Sequence, residues 1–307
     1  MGSESSGIIA AFLSSLTWAI GVTTYSLLSK KYTPFVINFT RSLVAFPLFL
    51  LVAIAELGLT GYGHVILSLT GAQLGWMFLS VLGSFGFGDV LFLWSTRGMG
   101  VPGALAIAST YPLVSALAGL FFKGETLSVE SASGLVVVVL GTIAVILSGQ
   151  REKRATLRNP QSIFERYEVG VVLAFMTSFC WALNAFSISK IGVVPAASAN
   201  TVRTLMALAM CPFFSFLTRQ TGSMFIAKKD FIPALAIFVL EGFGGAYMYI
   251  YGIMNSPLAL GAALTSLAPA MSVPLALLAR TEKFRWARSA GVVAVVVGIW
   301  LLVSGRG

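Results

Sequence analysis

Asn38-Phe39-Thr40-Arg41 returns as Asn200-Thr201-Val202-Arg203, 162 residues further on, with the Asn-x-x-Arg spacing intact. Working outward from that pair, Trp18-Ala19 recurs as Trp181-Ala182, 163 residues on. Pro112, Glu125, Gly134 and Gly141 recur as Pro269, Glu282, Gly291 and Gly298, each 157 residues on. Met99 and Met254 stand 155 apart, a drift in offset that small loop insertions produce. The second half of the chain therefore repeats the first.

The repeated unit is built for lipid. The 307 residues are 57% hydrophobic and only 10% charged, with a mean hydropathy of +0.90. Soluble domains carry about 25% charged residues. Runs such as Leu135 to Leu147 are apolar on every face. The strict alternation of a membrane β-barrel is absent. The fold class is thus an all-α membrane protein. At about 20 residues per crossing the length allows about ten spans. They are expected near 8–28, 34–55, 72–96, 102–122 and 129–149, then 169–189, 196–217, 231–253, 257–279 and 286–304.

This divides the chain into a first five-helix repeat (1–150), a charged linker (151–168) and a second five-helix repeat (169–307). The linker holds five basic and three acidic residues, too few residues in all for a domain. Gly58, Gly61 and Gly63 are expected to break the chain after the second span, with His64 in that loop. An odd number of spans per repeat makes the second copy enter the membrane in the opposite sense. Two inverted repeats around a central cavity, with a site near the bilayer midplane, are the architecture of secondary transporters.

The net charge of +9 does not point to nucleic acid, because the basic residues sit in short loops and read as topology signals. The loops on the N-terminal side hold three Lys or Arg and those on the other side fifteen. The positive-inside rule then places both termini outside a cell (inner) membrane that the chain crosses many times. Met1 to Ser6 lacks the basic start of a cleaved signal peptide, so the first helix is expected to remain. Cys180 and Cys211 lie within spans and form no metal or redox spacing.

The charges inside the spans are the candidate site. Arg41 and Arg203 each lie about seven residues into a helix, about 10 Å deep at 1.5 Å per residue. A lone arginine there costs about 2.5 kcal/mol or more, so it should face the bundle and find partners. It can clamp an anion, or it can be a structural group tied to carbonyls or snorkelling to the surface. Asn38 and Asn200, one turn earlier, could orient either guanidinium.

Asp89 and Glu241 are the acids deep in the apolar runs. Desolvation disfavours a charged carboxylate, which suits proton coupling; equally, they could neutralise the arginines as fixed pairs. Trp18 and Trp181 lie too deep for the interfacial belt. With Tyr111, Tyr247, Tyr249 and Tyr251 they supply aromatic surface for an amphipathic solute, or ordinary packing. Pro112 and Pro269 kink their helices at matching positions and are the candidate hinges. Gly134 with Gly141, and Gly291 with Gly298, read as close-packing seams. No enzyme signature and no phosphate-binding Gly-x-x-x-x-Gly-Lys loop occurs, so no catalytic residue, metal or cofactor is expected.

Two features resemble the drug/metabolite transporter superfamily, specifically its EamA-like ten-helix exporters. One is the second-span arginine in each half, Arg41 and Arg203. The other is the late block Pro112…Lys123-Gly124-Glu125-Thr126-Leu127-Ser128…Gly134…Gly141, with its second copy Pro269…Arg280-Thr281-Glu282…Gly291…Gly298. The second copy departs from the pattern with Thr281 in place of the glycine. The resemblance implies a basket of helices around a cavity lined by Trp18, Asp89, Tyr111, Trp181, Asn184, Glu241 and Tyr247. It also implies efflux of small metabolites such as amino acids by alternating access, from a monomer or homodimer in the bilayer. An anion exchanger for sugar phosphates or nucleotide sugars, with Arg41 and Arg203 as the clamp, is the alternative.

Overall fold

The computed structural model describes residues 2–114, 128–156, 162–220, 222–256, 261, 264–278 and 285–305. Most of the Gly124 to Ser128 string, its second copy at 280–282 and parts of the expected fourth and ninth spans lie outside the described residues.

Helices run α1 (Gly2–Leu28), α2 (Pro34–Leu67), α3 (Gly71–Val81), α4 (Gly88–Met99), α5 (Val101–Ala108), α6 (Val129–Thr156), α7 (Tyr167–Ser189), α8 (Ala196–Leu217), α9 (Lys228–Ile237), α10 (Ala246–Asn255), α11 (Ala268–Leu278) and α12 (Trp286–Ser304). A π-helical segment, Leu82–Gly86, joins α3 to α4, and a second, Phe238–Gly245, joins α9 to α10. Among the described residues, six helical stretches are each long and apolar enough to cross a bilayer, including Gly71–Met99 and Lys228–Asn255 with their π segments. Val101–Val114, Ala132–Val145 and Ser289–Leu301 are shorter apolar helices.

Local chemistry sets several boundaries. Thr33 caps α2 by accepting from the Val36 amide, and Pro34 takes the first helical position, where a missing N–H costs nothing. A capping box between Thr70 and Gln73 starts α3. Two boundaries differ from the sequence expectation. The helix runs past residue 55 to a kink at Gly58, the expected break, and a further helical stretch then continues to Leu67, so His64 is helical rather than in a loop. Of the three glycines read as breakers only Gly58 leaves helical geometry, at φ 69°, where a side chain would be strained. Likewise α6 runs on to Thr156, so the charged linker begins as helix.

Polarity is distributed inside out, as lipid solvation requires. Leu51, Phe179, Phe213, Phe216, Val293 and Trp300 point outward, while Asn38, Arg41, Asp89, Asn200, Arg203 and Glu241 are buried. Pairing of the helices is reciprocal. α2 and α8 pack together, as do α6 and α12. α1 packs on α10 and the second π segment, and α7 packs on α4 and the first π segment.

Both self-pairings are antiparallel. Phe35, at the start of α2, stacks on Phe214, near the end of α8, at 6.5 Å. The glycine seam runs the same way. A Cβ on Gly141 would stand 2.8 Å from the Gly291 carbonyl oxygen, and one on Gly298 the same distance from the Gly134 carbonyl oxygen. Neither approach leaves room for a side chain.

Candidate functional site

Between the two halves lies a cavity of about 110 Å³. Its wall contains Ser14 and Trp18 from α1, Arg41 from α2, and Ser84, Phe85 and Asp89 from the first π segment and α4. Ser109 and Tyr111 follow from the segment just after α5, Trp181 and Asn184 from α7, and Arg203 from α8. Glu241, Gly245, Ala246, Tyr249 and Thr265 complete it.

Irregular backbone delivers these groups. In a π segment each turn takes an extra residue, which rotates the rest of the helix and frees carbonyls. Asn38 donates to the Phe85 carbonyl in the first π segment at 2.8 Å; Asn200 donates to the carbonyl of Ala246, just past the second, at 3.2 Å. Glycines then let side chains in. A Cβ on Gly242 would meet Arg41 Cγ at 2.6 Å, one on Gly21 would meet Glu241 Cγ at 2.7 Å, and one on Gly88 would meet the Trp181 ring at 2.8 Å. After α5 the helix breaks into a turn at Ser109 and Thr110, just before Pro112. The same turn recurs at Ser266 and Leu267, just before Pro269. These breaks put Ser109, Tyr111 and Thr265 on the cavity, and the Tyr111 and Thr265 hydroxyls hydrogen-bond to each other.

The four intramembrane charges converge but do not pair evenly. Arg41 Nη2 stands 2.7 Å from Asp89 Oδ2, and its Nη1 3.6 Å from Glu241 Oε2. Trp181 Nε1 donates to the other Asp89 oxygen at 3.1 Å, and the Tyr25 hydroxyl donates to Glu241 Oε2 at 2.5 Å. Arg203 has no carboxylate within ion-pairing distance among the described residues. Its guanidinium donates instead to neutral oxygens: Ser80 and Asn200 at 2.8 and 3.1 Å, Asn184 and Ser84 at 3.1 and 3.4 Å. Both guanidiniums lie over one ring, Phe85, at 4.6 Å for Arg41 and 5.9 Å for Arg203.

Trp18 and Trp181 meet edge to face at 5.7 Å and form an apolar wall beside the charges. Of the residues singled out in the sequence, Trp18, Arg41, Asp89, Tyr111, Trp181, Asn184, Arg203 and Glu241 surround one cavity. Pro112 and Pro269 stand just beyond the breaks rather than on the wall. Tyr247 is not brought to the cavity: it stacks on Tyr251 at 6.1 Å and its hydroxyl donates to Glu56. Tyr249 takes that place, and its hydroxyl accepts from the Asn184 amide at 3.3 Å. Tyr25, Ser80 and Ser84 also serve the site, though sequence reasoning does not single them out. Tyr25 follows Trp18 and Gly21 on one helical stripe, and Ser80 and Ser84 are one turn apart, so the spacing carried a signal.

An apolar core packs beside the cavity on the side of the many basic loops. Tyr25, Val36, Phe92, Leu105 and Phe238 pack into one core there, with Tyr32, Met224 and Phe231 against it. Asp230 latches the rim, accepting from Lys31 Nζ at 2.7 Å and from the Tyr32 hydroxyl at 2.8 Å. That bond holds the Lys31 ammonium above its ordinary value. Tyr32 in turn accepts from the Ala227 amide, and Arg97 donates to the carbonyls of Ser29 and Tyr32.

A helical bundle that buries its charges around a hollow, and turns apolar side chains to lipid, is a multi-pass membrane transporter in form. The EamA-like transporter family model matches residues 5–147 and again 168–304, and the chain belongs to that family. An uncharacterized transporter of Archaeoglobus fulgidus is 23% identical over 97% of its own length and 96% of this chain. A crystal structure of a protein superposes with a TM-score of 0.66 at 18% identity, over 97% of this chain and 96% of the other. That likeness concerns the fold.

Proposed function

We propose that the chain is a secondary carrier that exports small organic metabolites, amino acids or solutes of similar size, by alternating access between two inverted repeats. The observation that carries this reading is the meeting of rare intramembrane charges from both halves in one cavity, beside four interruptions of regular helix. The antiparallel pairing of α2 with α8 and of α6 with α12 supports the inversion. Breaks before Pro112 and Pro269 are where the fourth and ninth spans would flex as each side opens. The Lys and Arg count supports an orientation with the Asp230 latch in the cytoplasm and the termini outside.

Proton coupling rests on Glu241 and Asp89. Both share Arg41, so protonation of either changes how tightly α2 is held to the third spans. The test is flux driven by a pH gradient in proteoliposomes, using an amino acid that raises the thermal stability of the purified protein. Glu241→Gln and Asp89→Asn should uncouple flux from the gradient; full coupling in both variants removes proton carriage from the account. The exchanger reading ranks second, because two carboxylates already neutralise Arg41, which leaves less positive charge for a phosphate.

A further inference from the structure

We propose that the two repeated arginines have divided their roles, so that the cavity takes a zwitterion with its anionic group on Arg203 and its cationic group on Glu241. The inference rests on the carrier reading and adds the substrate's charge pattern to it.

The cavity holds two cations and two acids, but the acids are both on Arg41. With both ionised, that cluster carries one surplus negative charge and Arg203 one unmatched positive charge. A buried cation without a counterion is costly, and four neutral oxygens offset only part of that cost. Those four bonds occupy four of the five guanidinium N–H groups, leaving one on Nη1 for a ligand. At the other pole, the hydrogen bond and the ion pair of Glu241 both fall on Oε2. Its Oε1 has no hydrogen-bond partner among the described residues, and Glu241 lines the cavity. A free donor on an unmatched cation and a free acceptor on a surplus anion thus open on one hollow. Arg41 is the positioning residue that holds Asp89 and Glu241 in place.

The test needs no known substrate. Ser84→Cys, beside Arg203, is placed in protein carrying Cys180→Ala and Cys211→Ala, and reconstituted. Three methanethiosulfonates probe it: anionic 2-sulfonatoethyl, cationic 2-trimethylammonioethyl and zwitterionic 2-amino-2-carboxyethyl, each rate divided by that with a free thiol. The zwitterion should react fastest and the cation slowest, by about tenfold or more, the effect of one poorly screened charge. Arg203→Gln should abolish the advantage of both carboxylate and sulfonate, while Arg203→Lys keeps it. Glu241→Gln should remove the zwitterion's lead over the anion. Equal rates for the three probes, or an order indifferent to Arg203 and Glu241, overturn the inference and leave the carrier reading standing. No reaction with any probe, in protein whose thiol reacts on unfolding, counts against the carrier reading itself, since no solute then reaches the cavity.

Discussion

Arg41 and Arg203 reach the same ring, Phe85, yet only Arg41 has carboxylates within ion-pairing distance among the described residues. Two copies of one Asn-x-x-Arg segment have therefore arrived at different electrostatics. The two π segments differ in where they place the acid. The first π segment ends before Asp89, whereas the second contains Glu241, and both acids swing toward Arg41.

Removing Arg41 leaves two buried acids against each other. Arg41→Gln should lower stability by about 3–5 kcal/mol, the cost of stripping one partner from a buried ion pair. Arg41→Gln combined with Asp89→Asn should recover part of that loss. Thermal unfolding in detergent checks both, and an unchanged melting temperature in the single variant would refute the pairing.

The glycines at the crossings differ from those at the rim. A Cβ on Gly83 would lie 2.5 Å from the Cys180 carbonyl oxygen and 2.9 Å from the Asn184 amide nitrogen, both backbone. Gly83→Ala should cost about 1–3 kcal/mol and pull Asn184 away from Arg203. Gly63→Ala meets nothing within 4 Å and should be neutral or mildly stabilising. Equal stability of the two variants would mean that the close packing of α7 on the first π segment is not tight.

The Asp230 latch predicts a sidedness. Asp230→Asn removes the charge that Lys31 and Tyr32 hold, and Asp230→Ala removes the acceptor as well. Either should raise labelling of a cysteine at Ser109 from the basic-loop side, Asp230→Ala more than Asp230→Asn. Unaltered labelling from that side would assign any barrier there wholly to the apolar core.

Much of the site was legible because lipid makes polarity conspicuous. Arg41, Arg203, Asp89 and Glu241 stand out in apolar runs, and all four line the cavity. Which acid joins which arginine was not legible, because that depends on how third spans cross second spans. Tyr247 and Tyr249 show the other limit. Sequence periodicity assumes a regular helix, but the π segment at Phe238–Gly245 shifts the register and turns Tyr249, not Tyr247, to the hollow. In α2, glycines that usually end a soluble helix left it unbroken except at Gly58.

The most direct measurement is accessibility of a Ser109→Cys variant, lacking Cys180 and Cys211, from each side of sealed membranes. Right-side-out and inverted vesicles would be treated with a membrane-impermeant thiol reagent. A hollow reached in turn from both sides predicts labelling in both orientations, with the fractions shifting when a transported solute is present on one side only. Labelling confined to a single orientation under every solute condition would contradict alternating access, and with it the proposed transport cycle.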